Sequence, residues 1–328
     1  MNRRTALVGL LAFLIAAQAQ SAEKRAMTPE DLWAMKRLAA PAIAPDGRTV
    51  VFTVQEWSVE KNKSKTNLWL VDVAGGEPRR LTTADATDAA PAWSPDGRRI
   101  AFVSKRGEDQ TSALYVIPVG GGEAEEILEM PFGLAAPKWL PDGGHIVVGT
   151  SVIPELAGAL AKKDIAAMKK EAKRRKDSKM TAKVTEHRQY RYFDRYLTDN
   201  LASRLLRVNV ANKEAIDLTP GFDRLIRADG EWTFELSPDG SHIAVVINST
   251  TPPYREFPNN DIYFIATNGS GQLKNLTAES QGNDGEPTFA PDGRSLVYLR
   301  RESAYHNGES ARLWRHDLGT GKNTPLAP

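Results

Sequence analysis

The sequence predicts an all-β chain, a β-propeller assembled from four-stranded blades. Three observations predict it. A Pro-Asp-Gly turn recurs five times, anchored at Pro45, Pro95, Pro141, Pro238 and Pro291. Apolar residues alternate with a period of two on both sides of each turn. Two further strand-like segments follow each turn, their leading apolar residues thirteen or fourteen positions apart in every copy. Units of about 40–50 residues holding four short antiparallel strands are the signature of a propeller blade.

Each part of the unit has a physical reason. Proline presets φ for the second position of a type I turn. Asp46, Asp96, Asp142, Asp239 and Asp292 follow it, able to accept a hydrogen bond from nearby backbone. Gly47, Gly97, Gly143, Gly240 and Gly293 then supply the left-handed residue that closes such a hairpin. Two residues before the proline stand Ile43, Trp93, Trp139, Leu236 and Phe289, which end a first strand. Val50, Ile100, Ile146, Ile243 and Leu296, then Phe52, Phe102, Val148, Val245 and Tyr298, give the second strand one packed face. Third strands read NLWLVDV, ALYVIPV, RLLRVNV, DIYFIAT and RLWRHDL, and glycine-rich or NKE turns lead to short fourth strands. Trp69, Tyr115, Tyr263 and Trp314 share one slot in the third strands and are expected in the core.

The anchors lie 50, 46, 97 and 53 residues apart, so the third blade carries an insertion. That insertion, about 154–195, is rich in helix formers. Ten Lys or Arg stand against three Asp or Glu between Ala161 and Lys183. A docking helix for an acidic partner or a membrane surface is one reading. A solvated excursion on the propeller rim is favoured, because the segment has little apolar content. The expected organisation is a signal peptide at 1–19, a lead-in with a short helix at 20–40 and a propeller at 41–328. Its blades lie at about 41–83, 91–129, 137–220, 231–278 and 287–328.

With 328 residues, 41% hydrophobic and 26% charged, the chain can bury a core. A net charge of +2 argues against nucleic acid as a partner. The absence of cysteine excludes disulfides, thiol nucleophiles and thiolate metal sites. At the N-terminus, Arg3 and Arg4 precede an apolar run from Leu7 to Ala17 and a small-x-small pattern at Ala17-Gln18-Ala19. This is a bacterial-type secretory signal, and it predicts an exported protein, periplasmic or secreted, with no transmembrane segment once the signal is cleaved.

The residues offer no catalytic set. His145 and His242 occupy one repeat position, an outward polar slot, and His316 lies in a third strand. His187 and His306 stand by the insertion and in a loop, with no serine in a nucleophile setting nearby. The recurring aspartates are explained as turn residues. QGNDGEP at 281–287 lacks the alternating ligand pattern of a calcium loop. No catalytic residue, metal or cofactor is expected.

Thr28, Pro29, Glu30 and Asp31 read as a capped helix opening into the first strand. This lead-in, the blades and the segment RQYRYFDRYLTDNLASRLLRVNV (188–210) together resemble the propeller of the prolyl oligopeptidase family of serine peptidases. The branch resembled is that of the bacterial acylaminoacyl-peptidase and dipeptidyl-peptidase-like enzymes. The turn repeat itself is shared with TolB-like periplasmic propellers. The resemblance implies seven or eight blades, followed by an α/β-hydrolase domain with G-x-S-x-G and then Asp and His. No G-x-S-x-G is present: Ser151 follows Gly149, but Val152 comes next, within a blade strand. The resemblance therefore implies a truncated peptidase of five blades, its substrate-binding residues unassigned. Peptides would be its substrates through the missing hydrolase domain. The alternative is a stand-alone TolB-like propeller whose partners are envelope proteins.

Overall fold

A computed structural model describes residues 25–106, 111–161, 165–180, 182, 190–192, 195–196, 201–222, 226, 231–251, 257–303 and 308–326. The expected signal peptide, His187 and His306 lie outside the described residues. Helix α1 (Pro29–Ala34) opens as expected: Thr28 caps it, the Thr28 side chain accepting from the Asp31 amide and the Asp31 carboxylate from the Thr28 amide.

Five antiparallel four-stranded meanders follow, the first two joined into one sheet by a single parallel pairing of Thr66 with Thr87. Blade one is β1 (Arg37–Ile43), β2 (Thr49–Ser58), β3 (Lys63–Asp72) and β4 (Arg79–Arg80). Blade two is β5 (Thr87–Trp93), β6 (Arg99–Lys105), β7 (Ser112–Pro118) and β8 (Glu125–Glu129). Blade three starts with β9 (Leu134–Trp139) and β10 (His145–Val152). Its insertion then carries α2 (Gly158–Ala161), α3 (Ala166–Asp177) and a hairpin of β11 (Arg191–Tyr192) and β12 (Arg195–Tyr196). The blade resumes with β13 (Ala202–Asn209) and β14 (Ala215–Asp217). Blade four is β15 (Phe234–Leu236), β16 (His242–Asn248), β17 (Asn260–Ala266) and β18 (Leu273–Asn275). Blade five is β19 (Asp284–Phe289), β20 (Ser295–Arg300), β21 (Arg312–Asp317) and β22 (Asn323–Pro325).

The five turns share one geometry. In each, the glycine amide donates to the carbonyl of the residue before proline, at 2.8–3.0 Å. Each aspartate Oδ1 accepts from the amide two residues on, also at 2.8–3.0 Å. The glycines sit at φ between +65° and +72°. The proline, aspartate and glycine thus each have a separate task, which explains why the triplet recurs intact.

The first strands run through a proline in four of the blades. In blades one, two, three and five they begin at Arg37, Thr87, Leu134 and Asp284, ahead of Pro41, Pro91, Pro137 and Pro287. Those prolines lack a ladder donor, and each follows a residue at positive φ: Ala40 at 48°, Ala90 at 50°, Ala136 at 51° and Glu286 at 51°. The pairing register shifts at each of these places. A β-bulge therefore lets the strand run through a proline that regular pairing would exclude. Blade four has Phe234 in the proline slot and keeps a regular register.

Blades stack face to face, and each neighbouring pair shares a core. Val51, Leu68 and Leu70 of blade one meet Ile100, Phe102 and Ile117 of blade two. Ala101, Val103 and Leu114 meet Ile146, Val148 and Leu206 across the next junction. Val147 and Leu205 meet Ile243 and Val245, and Ala244 and Ile262 meet Leu296 and Tyr298. Two tryptophans also staple blades together. Trp93 Nε1 donates to the Ala42 carbonyl at 2.9 Å and Trp139 Nε1 to the Ala92 carbonyl at 3.1 Å. These positions read as merely large and apolar in the sequence.

No such core joins blade five to blade one among the described residues, and the sheets do not close. This corrects the packing expected of blade one. Val50 and Phe52 are only half-buried and Ile43 is 61% exposed, because their face points away from blade two. Lys36 lies over Trp69, covering part of that face, while Trp33 of α1 packs edge-on against Trp57, which alternates onto the Val51 side of the strand.

Candidate functional site

A concavity with polar lining lies between blades two and three and helix α3. It is a cleft of about 990 Å³. The strand order places it. Lys105 ends β6, Leu134 and Ala135 begin β9, and Gly149, Thr150 and Ser151 near the end of β10. All are at the strand ends opposite the Pro-Asp-Gly turns. Helix α3 forms the facing wall with Lys169, Lys170, Lys173 and Lys176.

The helix is docked rather than free. Met168 is fully buried in the core shared by blades two and three. Lys169 Nζ meets Glu129 at 2.7 Å, and the Arg175 guanidinium lies 5.8 Å from the Phe132 ring centre. Arg174 and Arg175 hold the Glu171 carboxyl down to about 2. The favoured expectation, a solvated excursion, gives way to a helix pinned by one methionine. The floor is aromatic: a Cβ on Gly149 would lie 2.4 Å from Trp232, so only glycine lets that indole lie on the strand. A glycine interrupting a β-branched strand was the available sequence signal of a close approach. The facing of the lysines was not legible, because it depends on where the insertion lands.

The histidines are placed elsewhere. His145 is half-buried, with Nδ1 2.7 Å from Asp142 and Nε2 3.1 Å from Asn209. His242 stacks on Phe264 with ring centres 4.4 Å apart and contacts the Ser241 hydroxyl. Its slot is thus packed against an aromatic ring instead of facing outward. His316 is buried, its Nδ1 2.9 Å from Asn323 Oδ1. No described histidine lines the cleft. Ser151 is a half-buried strand residue paired with Ser203, not an elbow residue. Of the shared aromatic slot, Tyr115 is buried while Trp69, Tyr263 and Trp314 are half-buried. Arg106 stacks on Tyr115 and Arg300 on Trp314, each at 4.4 Å.

The acidic loop at 281–287 also resolves into packing. Asp284 is buried and receives Arg300 Nε at 2.7 Å and Nη2 at 3.1 Å. Burial pushes its carboxyl above the ordinary range, and Arg300 works against that rise. Asp88 takes the equivalent place in blade two, accepting from Ser104 at 2.6 Å. Among the described residues no three His, Asp or Glu side chains are grouped to hold a metal ion. Nor is any described helix long and apolar enough to cross a membrane.

Fold and repeat together define a propeller of PD40 type, and the TolB β-propeller domain model matches residues 33–177. Across nearly its whole length the chain is similar in sequence to dipeptidyl-peptidases. It is 31% identical to dipeptidyl-peptidase 5 of Porphyromonas gingivalis over 312 residues, which is 92% of this chain and 43% of that one. The fold matches acylaminoacyl peptidase of Pyrococcus horikoshii with a TM-score of 0.62 at 14% identity, covering 89% of this chain and 39% of that one. It also matches the propeller domain of the Trilobed protease of Pyrococcus furiosus, described as an open velcro topology. There the TM-score is 0.55 at 14% identity, over 89% of this chain and 71% of that one. The chain thus spans less than half the length of the dipeptidyl-peptidase it matches.

Proposed function

We propose that this chain is the substrate-gating propeller region of an exported serine peptidase acting on short peptides, supplying recognition rather than bond cleavage. One observation carries the reading: 31% identity to a dipeptidyl-peptidase across 92% of the chain, aligned to 43% of that relative. The cleft between blades two and three supports it as a place where a peptide can be held. The N-terminal pattern of arginines, apolar run and small residues supports export. Chemistry would belong to a hydrolase domain with a serine nucleophile, passing through an acyl-enzyme. The blades would limit which peptides reach it. Reading the gene past the codon for Pro328 tests this. G-x-S-x-G followed by Asp and then His is expected. A stop codon there with a stable secreted product would overturn it. That result would favour a stand-alone envelope-binding propeller, the reading supported by the match to the TolB domain model.

A further inference from the structure

The cleft has a charge that gating alone does not require. Five lysines line it, from two separate elements: Lys105 at the end of β6, and Lys169, Lys170, Lys173 and Lys176 along α3. Among the described residues that line it, Glu129 is the one carboxylate, and Lys169 holds it at 2.7 Å. Lys170, Lys173 and Lys176 fall on neighbouring turns of the helix, three residues apart, and all are exposed. Met168 of the same helix is buried in the core of blades two and three, so rolling the helix to turn this row elsewhere would empty that core. The remaining lining suits a chain of residues rather than a bare anion: Phe132, Leu134 and Trp232 are apolar or aromatic, and Ser112, Thr111 and Ser151 offer hydroxyls. A concave site that gathers one sign of charge raises the local concentration of the opposite sign.

We infer that this cleft selects peptides carrying acidic side chains, their carboxylates lying along the lysines of α3 and their apolar groups against Trp232. The inference rests on the peptide-gating reading and names the substrate class that reading leaves open. The test is fluorescence anisotropy on the whole chain with a labelled glutamate-rich peptide and the same peptide with glutamine throughout. The glutamate peptide is expected to bind at least about tenfold more tightly, and its affinity to fall steeply as salt is raised. In K170E/K173E/K176E that preference should be lost, with circular dichroism unchanged. Lys105→Glu, on a strand end, should weaken it independently of the helix. If both peptides bind alike and the charge reversals change nothing, acidic selection is wrong while peptide gating stands. If neither peptide binds, both readings fall. If polyphosphate or vesicles rich in anionic lipid bind and the glutamate peptide does not, the cleft serves a different polyanion and the inference is overturned.

Discussion

Trp139 offers the sharpest probe of how the blades hold together. It is 7% exposed, donates Nε1–H to the Ala92 carbonyl at 3.1 Å, and lies under the Arg99 guanidinium at 4.8 Å. Trp139→Phe keeps an aromatic ring but removes the donor. The lost hydrogen bond is worth about 1 kcal/mol, since water can reach the half-buried Ala92. The weakened cation–π contact adds about 0.5 kcal/mol. Replacing a bicyclic ring with a smaller one in a packed core adds about 1 kcal/mol more. A loss of about 2–3 kcal/mol is expected, seen as a lower urea midpoint at unchanged slope. Hydrogen exchange should quicken first along β5 and β9, the strands the indole joins. Trp93→Phe breaks the equivalent bond to Ala42, but at a half-buried indole, and should cost less. A Trp139→Phe protein within about 0.5 kcal/mol of the parent, with exchange unaltered at both strands, would refute the staple.

Other consequences follow from single contacts. Gly149→Ala should destabilise by about 1–3 kcal/mol by driving a methyl into Trp232; pairing it with Trp232→Ala should cost less than the sum of the two, measured by a double-mutant cycle. Arg300→Met strands the buried Asp284 carboxylate and should cost about 3–5 kcal/mol, with Asp284→Asn restoring part of it in thermal melts. Hydrogen bonds from Ser237 and from the Ser241 amide and hydroxyl hold Asp239 down to about 2. Its folded value lies below the unfolded one, near 3.9. The stability it lends is therefore present at neutral pH and lost as pH falls from about 4 towards 2. The gap in Tm between the parent and Asp239→Asn should close over that window.

The blades were legible because each turn residue has one job that no other residue does as well. Proline, aspartate and glycine declared the hairpins, and the period of two declared the packed faces. The exact starts of the first strands were not legible. The bulges at Ala40, Ala90, Ala136 and Glu286 let pairing continue around a proline, and alanine in a left-handed conformation leaves no mark in the sequence. The same limit applies to the site. The lysines of α3 were visible as charge, yet their direction depends on Met168 entering a core built from two other blades. The shortfall at Val50 and Phe52 has a like cause, since a half-packed face reads the same as a full one until its neighbour is known.

These blades are proposed to gate peptides without cleaving them. The direct measurement is to incubate the purified chain with a fluorophosphonate probe and, separately, with aminoacyl and dipeptidyl chromogenic substrates. No labelled serine and no turnover above buffer are expected. Covalent labelling of a serine in this chain, with turnover that the probe abolishes, would contradict the account.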